Sequence, residues 1–153
     1  RLIETLKARY GEPQRHYHTW AHIAALLAHF RRWESHFRRP EPVLWALYWH
    51  DAIYDPRASD NEEQSARLLE QEAAGHLAPD DIAFAAMIIR TTARHLVPEG
   101  LSAGDTADLS LFSTSTCPFW PHRHRSSTNM SGMCVRNMRS FPMRRSGRGA
   151  WRS

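Results

Sequence analysis

The fold turns on the stretch Pro42-Val43-Leu44-Trp45-Ala46-Leu47-Tyr48-Trp49-His50-Asp51-Ala52-Ile53-Tyr54-Asp55. Residues 43–49 are apolar throughout, so a helix built from them has no polar face and belongs inside the molecule. Pro42 suits the first turn of such a helix. Asp55-Pro56 predicts its end near Ile53. A buried helix then delivers His50 and Asp51 at its C-terminal end. Neighbours on a helix do not share a face, but both can reach a point beyond its last turn. A neutral imidazole nitrogen beside a carboxylate oxygen suits Mn, Fe, Co, Ni or Zn better than Ca. An isolated His-Asp pair is more often a surface ion pair. Delivery by an apolar helix tips this one toward a metal.

Working outward, the spacing predicts helices on both sides. Residues 2–10 form a short helix stopped by Gly11 and Pro13. Thr19 caps the next, whose Ile23, Leu26, Leu27, Phe30 and Trp33 follow the i, i+3, i+4, i+7 rule. His22 falls inside that helix, on or beside the Leu26 face, and can point inward. His18 precedes the cap, has more freedom, and suits proton donation better than ligation. His16 is expected at the surface, and Tyr17 and Trp20 in the core. Downstream, Ser59 or Asp60 caps a helix that starts with Glu62 and Glu63, runs through Leu68 and Leu69, and stops near Gly75. Pro79-Asp80-Asp81 opens another, with Ile82, Ala85, Ala86 and Ile89 on one face, ending near His95 before Pro98 and Gly100. No useful alternation of period two appears. The fold class expected is all-α.

Further polar residues are candidates for chemistry. Asp55 lies four positions after Asp51. On a continued helix the two carboxylates share a side, and Asp55 can orient a water or take its proton; equally, it can open the turn before Pro56. Glu62 belongs to a dense polar cluster best explained as helix capping. Asp105 and Asp108 are further carboxylates without a local distinguishing mark. Thr91 and His95 are i, i+4, and a lone histidine there is usually structural.

Charge divides the chain. Residues 1–108 hold 12 Lys and Arg and all 16 acids, a net charge of −4, whereas residues 109–153 hold 8 Arg and no acid. The overall net charge of +4 is therefore a property of the C-terminal segment and is no sign of nucleic-acid affinity in the helical part. Residues 113–153 are rich in Ser, Arg, Pro and Met, and their composition predicts a disordered basic tail. Both cysteines, Cys117 and Cys134, lie in it, so the helical part offers no thiolate site. The longest clean apolar run, 83–89, is far below the roughly 20 residues of a membrane span. No membrane association is expected, and the default location is cytoplasmic.

The order His22, then His50-Asp51, on consecutive helices resembles the HD superfamily of metal-dependent phosphohydrolases. Tyr17-His18-Thr19-Trp20-Ala21-His22 is similar to the Tyr-His-Asn-x-x-His stretch of its cyclic-nucleotide phosphodiesterase branch. The predicted metal-dependent phosphohydrolase group carries three segments that here are residues 10–18, 50–55 and 60–66. The resemblance implies an HD-like helical bundle over residues 1–112, incomplete at its end, followed by a non-family tail at 113–153. It implies His22, His50 and Asp51 as ligands of a divalent metal (Mn, Fe, Co, Ni, Zn or Mg) that polarises the phosphoryl group and activates water. His18 is then the proton donor, Asp55 or Glu62 orients the water, and the substrate is a small phosphate ester or nucleotide.

HD proteins close the site with a later Asp, in this group within Phe-Leu-Asp-x-Asp-Leu-Ser-Ile-Leu. Here Leu111-Phe112 is followed by Ser113-Thr114-Ser115-Thr116-Cys117-Pro118-Phe119-Trp120. Written as TCG ACC TCG ACC TGT CCA TTT TGG and read one base earlier, with C in front, this segment encodes Leu-Asp-Leu-Asp-Leu-Ser-Ile-Leu. The same shift over residues 127–146 permits restored acids and a helical period. A shifted reading frame is therefore expected to account for the tail, with metal binding and activity impaired. The alternative is a non-catalytic interaction protein whose Arg-rich tail binds nucleic acid or an acidic partner. The tail lacks Lys and scatters its Arg, so nucleic-acid binding is not expected.

Overall fold

The computed structural model describes residues 2–15, 18–93 and 97–116. The expectations for His16, Tyr17, His95 and residues 117–153 lie outside them. The described residues are helical, with no strand beyond an isolated bridge between Ala74 and Leu77. None of the described helices is long and apolar enough to cross a membrane.

Helix α1 (Leu2–Tyr10) buries Leu6 and Tyr10. It stops where the Gly11 N–H closes on the Lys7 carbonyl, 3.0 Å away. Helix α2 (Trp20–Trp33) buries Ile23, Leu26 and Phe30, the stripe its spacing predicts. Thr19 holds the cap position, but its side chain makes no cap hydrogen bond. A 3₁₀ turn (Glu34–His36) then leads into α3 (Pro40–Trp49).

Helix α3 is the axis of the molecule and packs against α2 and against two later helices, α4 (Asn61–Ala73) and α5 (Pro79–Thr92). Its Val43 and Ala46 are completely buried, as an apolar run without a polar face requires. The regular helix ends at Trp49, before the expected Ile53. The His50 N–H still bonds the Ala46 carbonyl at 2.9 Å, and the Ala52 N–H turns back to the Trp49 carbonyl at 3.1 Å. Asp60 stands at the cap of α4, although its side chain accepts from the Gln64 amide rather than from the backbone. The turn from α4 to α5 passes through Gly75 at φ 80°, a left-handed conformation that glycine adopts without a Cβ clash.

A sixth helix, α6 (Ala103–Thr116), continues four residues past the boundary expected at Phe112 and packs on α2. Its start is built by a reciprocal pair. Ser102 Oγ accepts the Asp105 N–H at 3.0 Å and donates to Asp105 Oδ2 at 2.9 Å. Its buried Leu109 and Phe112 join Ile23, Leu26, Val43, Leu69, Ile88 and Ile89 in one core.

Candidate metal centre

His50 and Asp51 follow directly on α3 and are both buried. His22 comes from the first turns of α2, and His18 from the segment just before that helix. The aromatic rings converge: His18 and His22 lie 5.7 Å apart, His22 and His50 5.6 Å apart. Their common point is one oxygen, Asp51 Oδ2, with His18 Nδ1 at 2.7 Å, His50 Nε2 at 2.8 Å and His22 Nε2 at 3.8 Å. His18, His22 and Asp51 offer ligand atoms within 4.8 Å of one another, and this cluster can hold a metal ion.

The electrostatics follow from burial and this convergence. Burial pushes the Asp51 carboxyl up, but the His50 charge and the hydrogen bonds from His18 and His50 outweigh it, and the group is held well below the usual carboxylate range. Burial pulls His50 down, yet the adjacent Asp51 charge carries it above its ordinary value. His22 is lowered to about 4, first by burial and then by repulsion from His50, so at neutral pH its ring is uncharged and its nitrogen lone pair can bind a cation. His50 Nδ1 lies 2.8 Å from the Leu47 carbonyl. A proton held there orients the ring and leaves Nε2 facing Asp51, the outer-shell arrangement common around metal-binding imidazoles.

The expected roles are distributed differently around this centre. His18, expected as a proton donor, stands in the ligand-capable trio. His50 stands beside that trio, with its ring nitrogen against the shared carboxylate. Glu62, in the first turn of α4, is close enough for its charge to raise His50. Asp55 does not continue the helix. It is exposed, and its Oδ1 accepts the Arg57 N–H at 2.9 Å, the turn-forming alternative. Asn61 pins that turn with both ends of its amide, accepting from Asp55 N at 2.9 Å and donating to Asp55 O at 2.8 Å. Ser65, fully buried, accepts the Ile53 N–H at 3.0 Å. The polar cluster at the start of α4 therefore also fastens the loop that follows Asp51.

Asp105 and Asp108 do not join the centre. Asp108 is buried, and its two oxygens accept the Arg38 and Arg39 backbone N–H groups at 2.9 and 2.8 Å, where α3 begins. The Arg39 guanidinium reaches Asp105 at 3.3 Å, holds Asp81 as well, and lies over the Phe84 ring. These carboxylates are at the opposite end of α3 from His50, about 15 Å away for a helix of this length.

Sequence reasoning did not single out Arg15. Its side chain is completely buried, donates to the Asp51 carbonyl at 2.6 Å and the Ala52 carbonyl at 2.9 Å, and pairs with Glu12 at 3.1 Å. Nothing local marks it, because its partners lie 36 and 37 positions away. The signal in the chain is its place in the 10–18 segment that carries the resemblance, between Glu12 and the histidines, where no role was attached to it. Compared with known proteins, the chain matches no family model, no curated protein and no solved structure.

Proposed function

We propose that this chain is built as a metal-dependent phosphohydrolase acting on a small phosphate ester or nucleotide, with an HD-like arrangement of ligands. The observation that carries this reading is the convergence of His18, His22 and His50 on a single oxygen of buried Asp51. The HD-like set would be His22, an uncharged imidazole, the buried charged carboxylate of Asp51, and His50, whose far nitrogen is anchored on Leu47 and whose Nε2, held against Asp51, would give up its proton to bind the ion. Mn, Fe, Co, Ni, Zn and Mg are the candidates, with the nitrogen-rich set favouring the transition metals over Mg. A bound divalent cation supplies a Lewis acid for a phosphoryl oxygen.

The chain's own residues account for the rest. His18 lies at the edge of the cluster, its ring 4.9 Å from Tyr54, and can pass a proton to a leaving oxygen. Glu62 places negative charge beside the cluster and can orient a water. The resemblance implies a closing Asp from a later helix. Asp105 and Asp108 are committed elsewhere, and a shifted reading frame beyond Phe112 accounts for its loss. The site is therefore short of one ligand and holds metal weakly.

A screen of phosphate esters with Mn²⁺ and Co²⁺ tests this, run on this chain beside a frame-corrected version. Activity that needs the metal and disappears in His50→Ala is the expected outcome, larger in the corrected chain. Metal-independent activity, or activity unchanged in His50→Ala, overturns the reading. Tight stoichiometric metal in the purified chain overturns the missing ligand. Sequencing the gene tests the frame: an uninterrupted frame shared by related genes removes that explanation.

A further inference from the structure

We infer that Arg15 is the positioning residue of this centre: by gripping the Asp51 and Ala52 carbonyls it fixes the segment that carries His50 and Asp51 against the segment that carries His18. The inference rests on the proposal that the cluster takes a divalent cation. It concerns what holds the cluster in register.

A helix end leaves its last carbonyls without intrahelical partners. The turn just past α3 poses the same need: the Asp51 and Ala52 carbonyls belong to buried residues beside the cluster and lie outside the helix. The Arg15 fork satisfies two neighbouring carbonyls at once, Nη1 to Asp51 and Nη2 to Ala52. Its Cζ lies over two tyrosine rings, 5.1 Å from the Tyr10 ring centre and 5.6 Å from that of Tyr54. Glu12 balances its charge through Nε. Nη1 also comes within 3.5 Å of the His18 carbonyl, so one guanidinium touches the backbone of both the carboxylate and an imidazole that bonds to it.

This geometry excludes a substrate-binding role. The Arg15 side chain is wholly buried, and its donors are engaged by carbonyls and by Glu12. Its positive charge also suits the negative end of the α3 dipole. A lysine supplies that charge as a point, without the planar fork that spans two carbonyls.

The test compares the full chain with Arg15→Gln and Arg15→Lys. Two measurements are made: cobalt(II) binding by its ligand-field spectrum, and a long-range proton–nitrogen correlation spectrum of the histidine rings before metal is added. Far-UV circular dichroism reports the fold. In Arg15→Gln the His18 ring signature of the Asp51 hydrogen bond is lost and cobalt affinity falls about 10- to 100-fold, the usual cost of removing an outer-shell partner. Arg15→Lys recovers part of both. A folded Gln variant with the parental His18 signature and parental cobalt affinity overturns the inference. If the parent binds no cobalt but the Gln variant still loses the signature, the positioning role stands and the metal reading falls. If the Gln variant does not fold, the Lys variant decides: a parental signature there overturns the inference, and a weakened one upholds it.

Discussion

Asp51 is the residue on which the site depends. One carboxylate oxygen collects three imidazoles inside the protein, and burial without them would leave the charge uncompensated. Asp51→Asn removes the charge and keeps the shape. Its cobalt affinity is expected to fall more than about 100-fold, beyond the range typical of an outer-shell loss, in a titration of the folded variant. Asp55→Asn, by contrast, is expected to leave cobalt affinity unchanged, because that side chain is exposed and serves the turn to Arg57. At this scale the pattern of residue types in the chain identified His22, His50 and Asp51 as inward-facing groups. It could not show that His18 would share their carboxylate, because that depends on the path taken by the chain before α2.

Among the elements, α3 is braced at both ends by side chains from elsewhere. Asp108 of α6 accepts two backbone N–H groups at its positive end, and Arg15 occupies its negative end. Asp108→Ala strands those donors at a partly buried helix start and is expected to cost about 1–3 kcal/mol in urea unfolding. A second tie joins α4 to α5, where Arg90 meets Glu63 at 2.7 Å and Glu70 at 2.8 Å. Hydrogen bonds from Arg90 and Arg67 lower Glu63 from 4.5 to about 2. A carboxylate depressed in the folded state contributes stability above its unfolded value and loses it on acidification. The stability gap between the parent and Glu63→Gln, read by urea unfolding, is therefore present near neutral pH and closes as pH falls from 4.5 toward 2. Prolines and the Thr19 and Asp60 positions marked where four helices start. Helix α3 ends before the Asp55-Pro56 break because the chain turns at Trp49–Ala52, where Arg15 takes the Asp51 and Ala52 carbonyls. The period of helix α6 is blurred in the chain by its Gly, Ser and Thr content, and the Ser102–Asp105 pairing that starts it is a feature of the structure.

Among the described residues of the molecule as a whole, the buried core runs from Leu6 to Phe112 and the cluster from His18 to Asp51. A chain ending at Thr116 is therefore expected to keep its helical circular dichroism and its cobalt affinity. Loss of either would show that residues 117–153 support the bundle. Leu69, fully buried in that core, provides the reference for packing: Leu69→Ala should cost about 2–5 kcal/mol, because the cavity cannot collapse around neighbouring helices. The order of residues alone determined an all-α bundle with a buried third helix, and placed a His-Asp pair at the end of that helix. Local periodicity and helix-start chemistry carry that much, since they act over a few positions. Tertiary structure alone decided which carboxylates serve the cluster and which serve the backbone. Asp51 and Asp108 are both buried acids; the neighbouring His50 marks the first, but nothing local shows what the second serves. Their roles differ because packing brings imidazoles to one and helix-start amides, 69 and 70 positions away, to the other.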